Sequence, residues 1–91
     1  MTQCSQQVTI RNQLGLHIRA ANKQCQLANQ YTAQIIISNQ HKQADATSVL
    51  ALLMLGSCQG QVLTISCQGD DAQSALQAVC QLVENKFGER Q

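Results

Sequence analysis

One segment of the chain combines residue types that could carry out chemistry, Gly15-Leu16-His17-Ile18-Arg19-Ala20-Ala21. His17 stands where a loop is predicted to become a helix, and Gly15 lets the backbone turn sharply before it. A helix start offers free N–H groups and a positive dipole end, so it suits a phosphate. The same field disfavours an imidazolium, so we expect a neutral, nucleophilic ring near pH 7. Arg19 supplies a cation for phosphate oxygens.

These residues leave two interpretations of His17 open. In the first, His17 accepts a phosphoryl group, and Arg19 helps to hold it. In the second, His17 only caps the helix or lies on the surface, which is the commoner role of a histidine at a helix start. The other histidine, His41, falls in a predicted polar hairpin, and we assign it no role.

The five cysteines do not form a recognisable site. Their number is odd and no two are spaced as a C-x-x-C pair, so we expect neither a disulfide framework nor a zinc site. We interpret them as small apolar side chains in or near a core. They are Cys4, Cys25, Cys58, Cys67 and Cys80.

The composition predicts one small domain, residues 1–91, with neither a nucleic-acid nor a membrane partner. The formal charge is +1, and one Tyr, one Phe and no Trp leave few rings for base stacking. The longest apolar stretch, Val49 to Leu55, is far shorter than the roughly 20 residues of a membrane span. The first seven residues do not resemble a signal peptide, so we expect a cytoplasmic protein.

Hydrophobic periodicity predicts seven elements around these residues. The predicted strands lie around Val8 and Ile10, and over Ala33 to Ser38, His41 to Ala46 and Gln61 to Gln68. The predicted helices run from Ile18 to about Asn29, from Val49 to Leu55, and from a cap at Asp70 or Asp71 through Lys86 to a stop at Gly88. This β-α-β-β-α-β-α order predicts an α+β fold, an open-faced β-sandwich. Its four-stranded antiparallel sheet would be covered on one side by three helices.

Two segments resemble the signatures of a known family. The segment from Gly15 to Ala21 resembles the active-site signature of the histidine-containing phosphocarrier (HPr) family of the bacterial phosphotransferase system. The segment from Thr47 to Leu52, followed by Leu55-Gly56, resembles the regulatory-serine helix of that family. The separation of the two segments and the order of the elements match the family over essentially the whole chain.

The resemblance implies a phosphocarrier that turns over only with partner enzymes. His17 would take a phosphoryl group, on Nδ1 by family precedent, from a phosphoenolpyruvate-dependent enzyme I and pass it to an EIIA-type acceptor. Arg19 would match the active-site arginine of the family. No cofactor is implied because the phosphoryl group arrives through enzyme I, and we expect a monomer.

Ser48 also has two interpretations. The resemblance matches it with a serine that a dedicated kinase phosphorylates in some bacteria, whereas the residues alone indicate the N-cap of a short helix. If Ser48 is such a regulatory serine, the protein has an alternative function to phosphoryl transfer. It would be a regulatory interaction module that acts through Ser48 and the apolar helix while His17 is idle.

Two positions depart from the family pattern. Ile18 is bulky where a small residue is usual, and Ala20 replaces a proline that would be pre-organised for the first helical turn. Both leave His17 in place, and we expect them to affect transfer rate or partner choice. The run from Leu52 to Leu55 resembles the nitrogen-related (NPr-like) branch more than the sugar-transport branch.

The second predicted helix is apolar nearly all round and too short to bury every side. Exposed apolar patches usually mark partner sites, so Val49, Leu50 and Leu53 are predicted to form a docking patch with Ile18. The alternative is a helix buried by neighbouring loops. Residues 1–44 hold four basic and no acidic side chains, so we expect the half with His17 to attract acidic partners.

Overall fold

The computed structural model describes residues 2–91 and contains four strands and three α-helices. The strands are β1 (Gln3–Thr9), β2 (Gln34–Ser38), β3 (Gln43–Asp45) and β4 (Val62–Gln68). The helices are α1 (Ile18–Ala28), α2 (Val49–Met54) and α3 (Ala72–Glu84), and a 3-10 turn, Lys86–Gly88, follows. The sheet is antiparallel with the order β1-β4-β2-β3. The predicted open-faced β-sandwich is therefore confirmed. No helix in the described part is long and apolar enough to cross a membrane.

Alternation along the strands decides which face of the sheet the helices cover. In β4 the side chains of Leu63, Ile65 and Cys67 are buried, and those between them are half-buried or exposed. Neighbouring strands place apolar residues in the same rows, since Val8 pairs with Leu63, and Ile37 with Ile65. These rows form the core beneath the helices and leave a polar face open to solvent.

The two long helices complete this core with different side chains. In α3 an apolar stripe at the spacing i, i+4, i+7 and i+11 is buried, and it consists of Ala72, Leu76, Val79 and Val83. In α1 the buried positions are Ala20, Ala21, Gln24 and Ala28, whose three alanines allow close packing. Gln24 is an unexpected member because its amide nitrogen and oxygen are both buried without a hydrogen-bond partner in the described part of the chain.

The C-terminal segment differs from the prediction. α3 ends at Glu84, and Lys86 and Phe87 adopt left-handed φ angles of 60° and 53°. Phe87 is buried in this turn, and its carbonyl accepts a 2.7 Å hydrogen bond from Nζ of Lys23. The predicted helix through Lys86 to Gly88 is therefore wrong, because burial of Phe87 requires the helix to stop earlier.

Asp71 precedes α3 as predicted, but its side chain does not cap that helix. Its carboxylate accepts hydrogen bonds from the backbone N–H groups of Thr32 (2.9 Å) and Ala33 (2.8 Å). Asp71 therefore connects the start of α3 to the start of β2.

β3 is shorter than the predicted strand from His41 to Ala46. The Asn39 side-chain oxygen accepts hydrogen bonds from the N–H groups of His41 and Lys42, both at 2.9 Å. This turn holds both residues out of the ladder, so the strand begins only at Gln43.

The cysteines only partly follow the prediction. Cys67 and Cys80 are buried, and burial raises the pKa of the Cys67 thiol to about 11. Cys4 and Cys25 are half-buried, and all five thiols are free. Cys58 is exposed, so the prediction of a packing role is wrong for this residue.

Candidate functional site

His17 is the N-cap residue of α1, with extended backbone angles of φ −84° and ψ −179°. Its carbonyl accepts the first helical hydrogen bond, from the N–H of Ala21 at 2.8 Å. Its ring nitrogen Nδ1 accepts a hydrogen bond from the N–H of Arg19 at 3.3 Å. The ring therefore lies over the positive end of the helix, as the sequence predicts.

Gly15 shapes the loop that presents His17. Its φ is +68°, and a Cβ atom there would lie 2.6 Å from the carbonyl oxygen of Ser57 and 3.0 Å from the Cα of Cys58. The next residue, Leu16, donates its N–H to the same Ser57 oxygen at 3.1 Å. The loop before α1 thus packs directly against the loop after α2, and a side chain at position 15 would separate them.

A carboxylate from the end of the chain completes the site. Oε2 of Glu89 accepts a short hydrogen bond from Nε2 of His17. Oε1 of Glu89 accepts one from Nδ2 of Asn12 at 3.0 Å, and this buried Asn12 nitrogen also donates to the Gly15 carbonyl at 2.7 Å. The side chains of His17 and Glu89 are 20% and 19% exposed, so the pair is largely shielded from solvent but still accessible.

The surroundings of Glu89 favour its charged form. Desolvation raises its pKa, but the hydrogen bonds from His17 and Asn12 outweigh that effect and hold the pKa of Glu89 below its ordinary value. The charge of Arg19 lowers it further. Glu89 is therefore an anion at neutral pH, facing the far nitrogen of the His17 ring.

These two contacts assign different roles to the two nitrogens of the His17 ring. Nδ1 accepts from Arg19 N–H, and Nε2 faces the Glu89 carboxylate, so the contacts place the proton on Nε2 and the lone pair on Nδ1. A neutral ring in this tautomer is a nucleophile at Nδ1. The arrangement can bind an electrophilic phosphorus at the helix start, where backbone N–H groups stabilise an anion.

Glu89 and Asn12 belong to the site although no sequence pattern identifies them. Glu89 is 72 positions from His17 and lies beyond the last predicted helix, so no local pattern connects the two. It also changes the charge argument, because an acid from the second half of the chain lies against His17. The charge around His17 is therefore not set by residues 1–44 alone, and the attraction of acidic partners stays a prediction.

Arg19 and Ser48 lie where the sequence places them. Arg19 is exposed in the first turn of α1, and its charge reaches Glu89. Ser48 is the N-cap of α2, and its hydroxyl oxygen accepts a hydrogen bond from the N–H of Ala51 at 3.2 Å. The capping role of Ser48 is confirmed, and its phosphorylation stays a prediction.

Helices α1 and α2 pack side by side in opposite directions. Sγ of Cys25, near the end of α1, donates to the carbonyl of Thr47 just before α2, at 3.1 Å. At the other end, the contact between Leu16 and Ser57 joins the residues before α1 to those after α2. The C-terminal end of α2 therefore lies beside the loop that carries His17.

The predicted docking residues differ in exposure. Ile18 and Leu50 are 60% and 68% exposed, whereas Val49 and Leu53 are half-buried against the core. The alternative of a helix buried by loops is therefore wrong. Met54, 60% exposed and one turn after Leu50, is a further exposed apolar side chain that helical spacing could have identified. We call the exposed side chains of Ile18, Leu50 and Met54 the apolar patch.

No three His, Cys, Asp or Glu side chains within residues 2–91 are grouped in a way that could hold a metal ion. The contacts described above form a site of a histidine, its carboxylate partner, a nearby arginine and the start of a helix.

Comparison with known proteins agrees with this geometry. A family model described as "PTS HPr component phosphorylation site" matches residues 4–85. The chain is 49% identical over 89 residues to phosphocarrier protein NPr of Shewanella violacea, covering 98% of each chain. It is 38% identical over 85 residues to phosphocarrier protein NPr of Escherichia coli, covering 92% of this chain and 94% of the relative. A crystal structure of HPr from Thermoanaerobacter tengcongensis superposes with a TM-score of 0.88 at 35% identity, over 100% of both chains. The chain therefore belongs to the HPr family of phosphocarrier proteins of the phosphotransferase system, and its relatives support the NPr-like branch.

Proposed function

We infer that His17 accepts a phosphoryl group on Nδ1 from phosphorylated enzyme I, and thus ultimately from phosphoenolpyruvate, and passes it to an EIIA-type acceptor. One observation carries this proposal: Nδ1 lies at the start of α1 while Nε2 is held by Glu89. Membership of the HPr family supports the phosphocarrier role. The similarity to NPr proteins favours a nitrogen-related relay in the cytoplasm over sugar uptake.

In the forward step, the lone pair of His17 Nδ1 attacks the phosphorus of the donor. The bond between phosphorus and the donor's leaving atom breaks, and its electron pair stays with the donor. The ring of His17 keeps its proton on Nε2 and becomes positively charged. Glu89 lies against that nitrogen, so its carboxylate stabilises the charge as it develops.

The phosphoryl oxygens need donors on the other side of the ring. The N–H of Arg19 points to Nδ1 and can donate to a phosphoryl oxygen once that lone pair is engaged. The guanidinium of Arg19 is exposed nearby and supplies a cation. Transfer to the acceptor reverses these steps, because the phosphorus–Nδ1 bond breaks and its electron pair returns to the ring.

The apolar patch is the proposed docking surface for donor and acceptor. Ile18 follows His17 directly, and Met54 lies at the end of α2 beside the loop that carries His17. A partner that covers these side chains would exclude water next to Nδ1. Val49 and Leu53 support the patch from below rather than forming its outer surface.

Labelling with phosphate tests the proposal. The protein is incubated with phosphoenolpyruvate, magnesium and the enzyme I of its own organism, and acid-labile, base-stable phosphate is measured. Wild type should be labelled. The informative pair of variants is His17→Ala, which should stay unlabelled, and His41→Ala, which should label like wild type. An unlabelled wild type, or equal labelling of His17→Ala, contradicts the proposal and favours the regulatory module acting through Ser48 and α2.

Docking is tested by placing a charge in the apolar patch. Leu50→Glu and Met54→Glu should weaken binding to enzyme I, measured by calorimetry, while the fold is retained. Val62→Glu is the matched control, because Val62 is a 49% exposed apolar side chain in β4, outside the patch. Equal binding by all three variants would remove the patch from the proposal.

A further inference from the structure

β1 forms one edge of the sheet and, within residues 2–91, pairs only with β4. Its seven residues, Gln-Cys-Ser-Gln-Gln-Val-Thr, include no charge, no proline and no glycine. Its register with β4 runs without interruption from Gln3 opposite Gln68 to Thr9 opposite Val62, so the strand contains no bulge. Natural edge strands are usually protected by short length, charges, proline or bulges. β1 has none of these protections.

The opposite edge of the same sheet is protected. β3 has only three residues, follows Lys42 and ends at the charged residue Asp45. Strand addition at β3 would therefore gain few hydrogen bonds and would meet charges at both ends. The sheet thus has one closed edge and one open edge.

We propose that the open edge is a self-association surface, on which β1 pairs antiparallel with β1 of a second copy of this chain. The strand is compatible with itself about its central residue, because Gln6 would lie opposite Gln6 of the second copy. The other opposed pairs are then Ser5 with Gln7, Cys4 with Val8, and Gln3 with Thr9, none of them charged. The expected monomer would thereby enter a reversible dimer with a continuous eight-stranded sheet.

Gln6 has the exposure that this pairing needs. It lies opposite Ile65 and on the same sheet face, yet Ile65 is fully buried and Gln6 is exposed. The helix layer therefore buries Ile65 but leaves the side chain of Gln6 exposed at the edge of the sheet. Two opposed Gln amides at this position can donate and accept between the copies.

Charge favours a second copy over a charged partner. α3 packs on β1, and only Glu84 among its thirteen residues is charged. The formal charge of the whole chain is only +1, so two copies repel each other weakly. A strongly acidic or basic partner would find no complementary charge along this edge.

The test substitutes Gln6, which would lie on the two-fold axis of the proposed dimer. Sedimentation equilibrium over a wide concentration range should show a reversible dimer of the wild type. Gln6→Lys and Gln6→Glu each place like charges opposite one another and should weaken association about tenfold or more. An equimolar mixture of the two variants should associate at least as tightly as wild type. Gln43→Lys on β3 makes the same charge change at the other edge and should dimerise like wild type.

Three outcomes would overturn the proposal. The first is a wild type that stays monomeric at all concentrations. The second is a Gln6→Lys variant that dimerises as wild type does. The third is an equimolar mixture of Gln6→Lys and Gln6→Glu that associates no better than either variant alone. That result would indicate a dimer in which the chains exchange β1, because Gln6 would then lie opposite Ile65 and the two introduced charges would not meet. Circular dichroism checks that each variant is folded.

The association measurements do not use phosphate labelling of His17. Their outcome is therefore independent of the proposed phosphoryl relay.

Discussion

The carboxylate of Glu89 lies against Nε2 of His17, although 72 positions separate the two residues. Burial of Phe87 and the hydrogen bond between its carbonyl and Lys23 hold the segment that carries Glu89. The backbone carbonyl of Gln91 also accepts the N–H of Gln13, in the loop before α1. The end of the chain is therefore a structural part of the His17 site.

Glu89→Gln should slow phosphorylation of His17 while leaving the fold intact. Glutamine keeps the size of the side chain but removes the charge that stabilises the ring cation. Loss of a charge-assisted hydrogen bond should lower the rate about ten- to hundredfold. Rapid-quench labelling with enzyme I measures the rate, and Glu84→Gln, on the exposed side of α3, is the control. Equal rates for both variants would show that Glu89 does not assist transfer.

Features that depend on neighbours in the chain could be predicted from the sequence. The N-cap positions of His17 and Ser48 and the buried stripe of α3 follow from short-range spacing, and the structure agrees. The order of the elements was sufficient for the fold class because amphipathic helices and alternating strands allow few arrangements.

Contacts between residues that are far apart in the sequence could not be predicted in the same way. Glu89 reaches His17, and Asp71 reaches Thr32 and Ala33, only after the chain has folded. Asp71 also looked like a helix cap, since an acid before a helix usually has that role. A tertiary contact therefore replaced the local role of Asp71, and Glu89 had no local role that a pattern could show.

Gly15→Ala should destabilise the protein more than Gly56→Ala. Both glycines have left-handed φ angles, +68° and +63°, so both substitutions carry a backbone penalty of about 1–2 kcal/mol. Only at position 15 would the new Cβ meet backbone atoms, with Ser57 oxygen at 2.6 Å, whereas nothing lies within 4 Å at position 56. Urea unfolding should show a loss at least about twice as large for Gly15→Ala. Similar losses would mean that the two loops separate easily.

Gln24→Met should stabilise the protein. The Gln24 side chain is fully buried, and neither of its polar atoms has a hydrogen-bond partner in the described part of the chain. Methionine has a similar shape and removes the unpaired amide, so the free energy of unfolding should rise by about 1–3 kcal/mol. Urea unfolding measures the change, with Gln26→Met, at an exposed position of α1, as the control. A less stable Gln24→Met variant would show that the amide is satisfied within the fold.

Asp71→Asn should lower the melting temperature in a pH-dependent manner. The backbone N–H groups of Thr32 and Ala33 hold the pKa of Asp71 below its ordinary value. A depressed pKa in the folded state means that the charged carboxylate stabilises the fold above the unfolded pKa, about 3.9. That contribution is lost as the pH falls through the folded pKa.

The difference in melting temperature between wild type and Asp71→Asn should therefore be constant near neutral pH and shrink below about pH 4. Asp70→Asn is the control, because Asp70 accepts neither N–H group, and its melting temperature should stay close to that of wild type. A difference for Asp71→Asn that is the same at pH 3 and pH 7 would show that the carboxylate charge does not fasten α3 to β2.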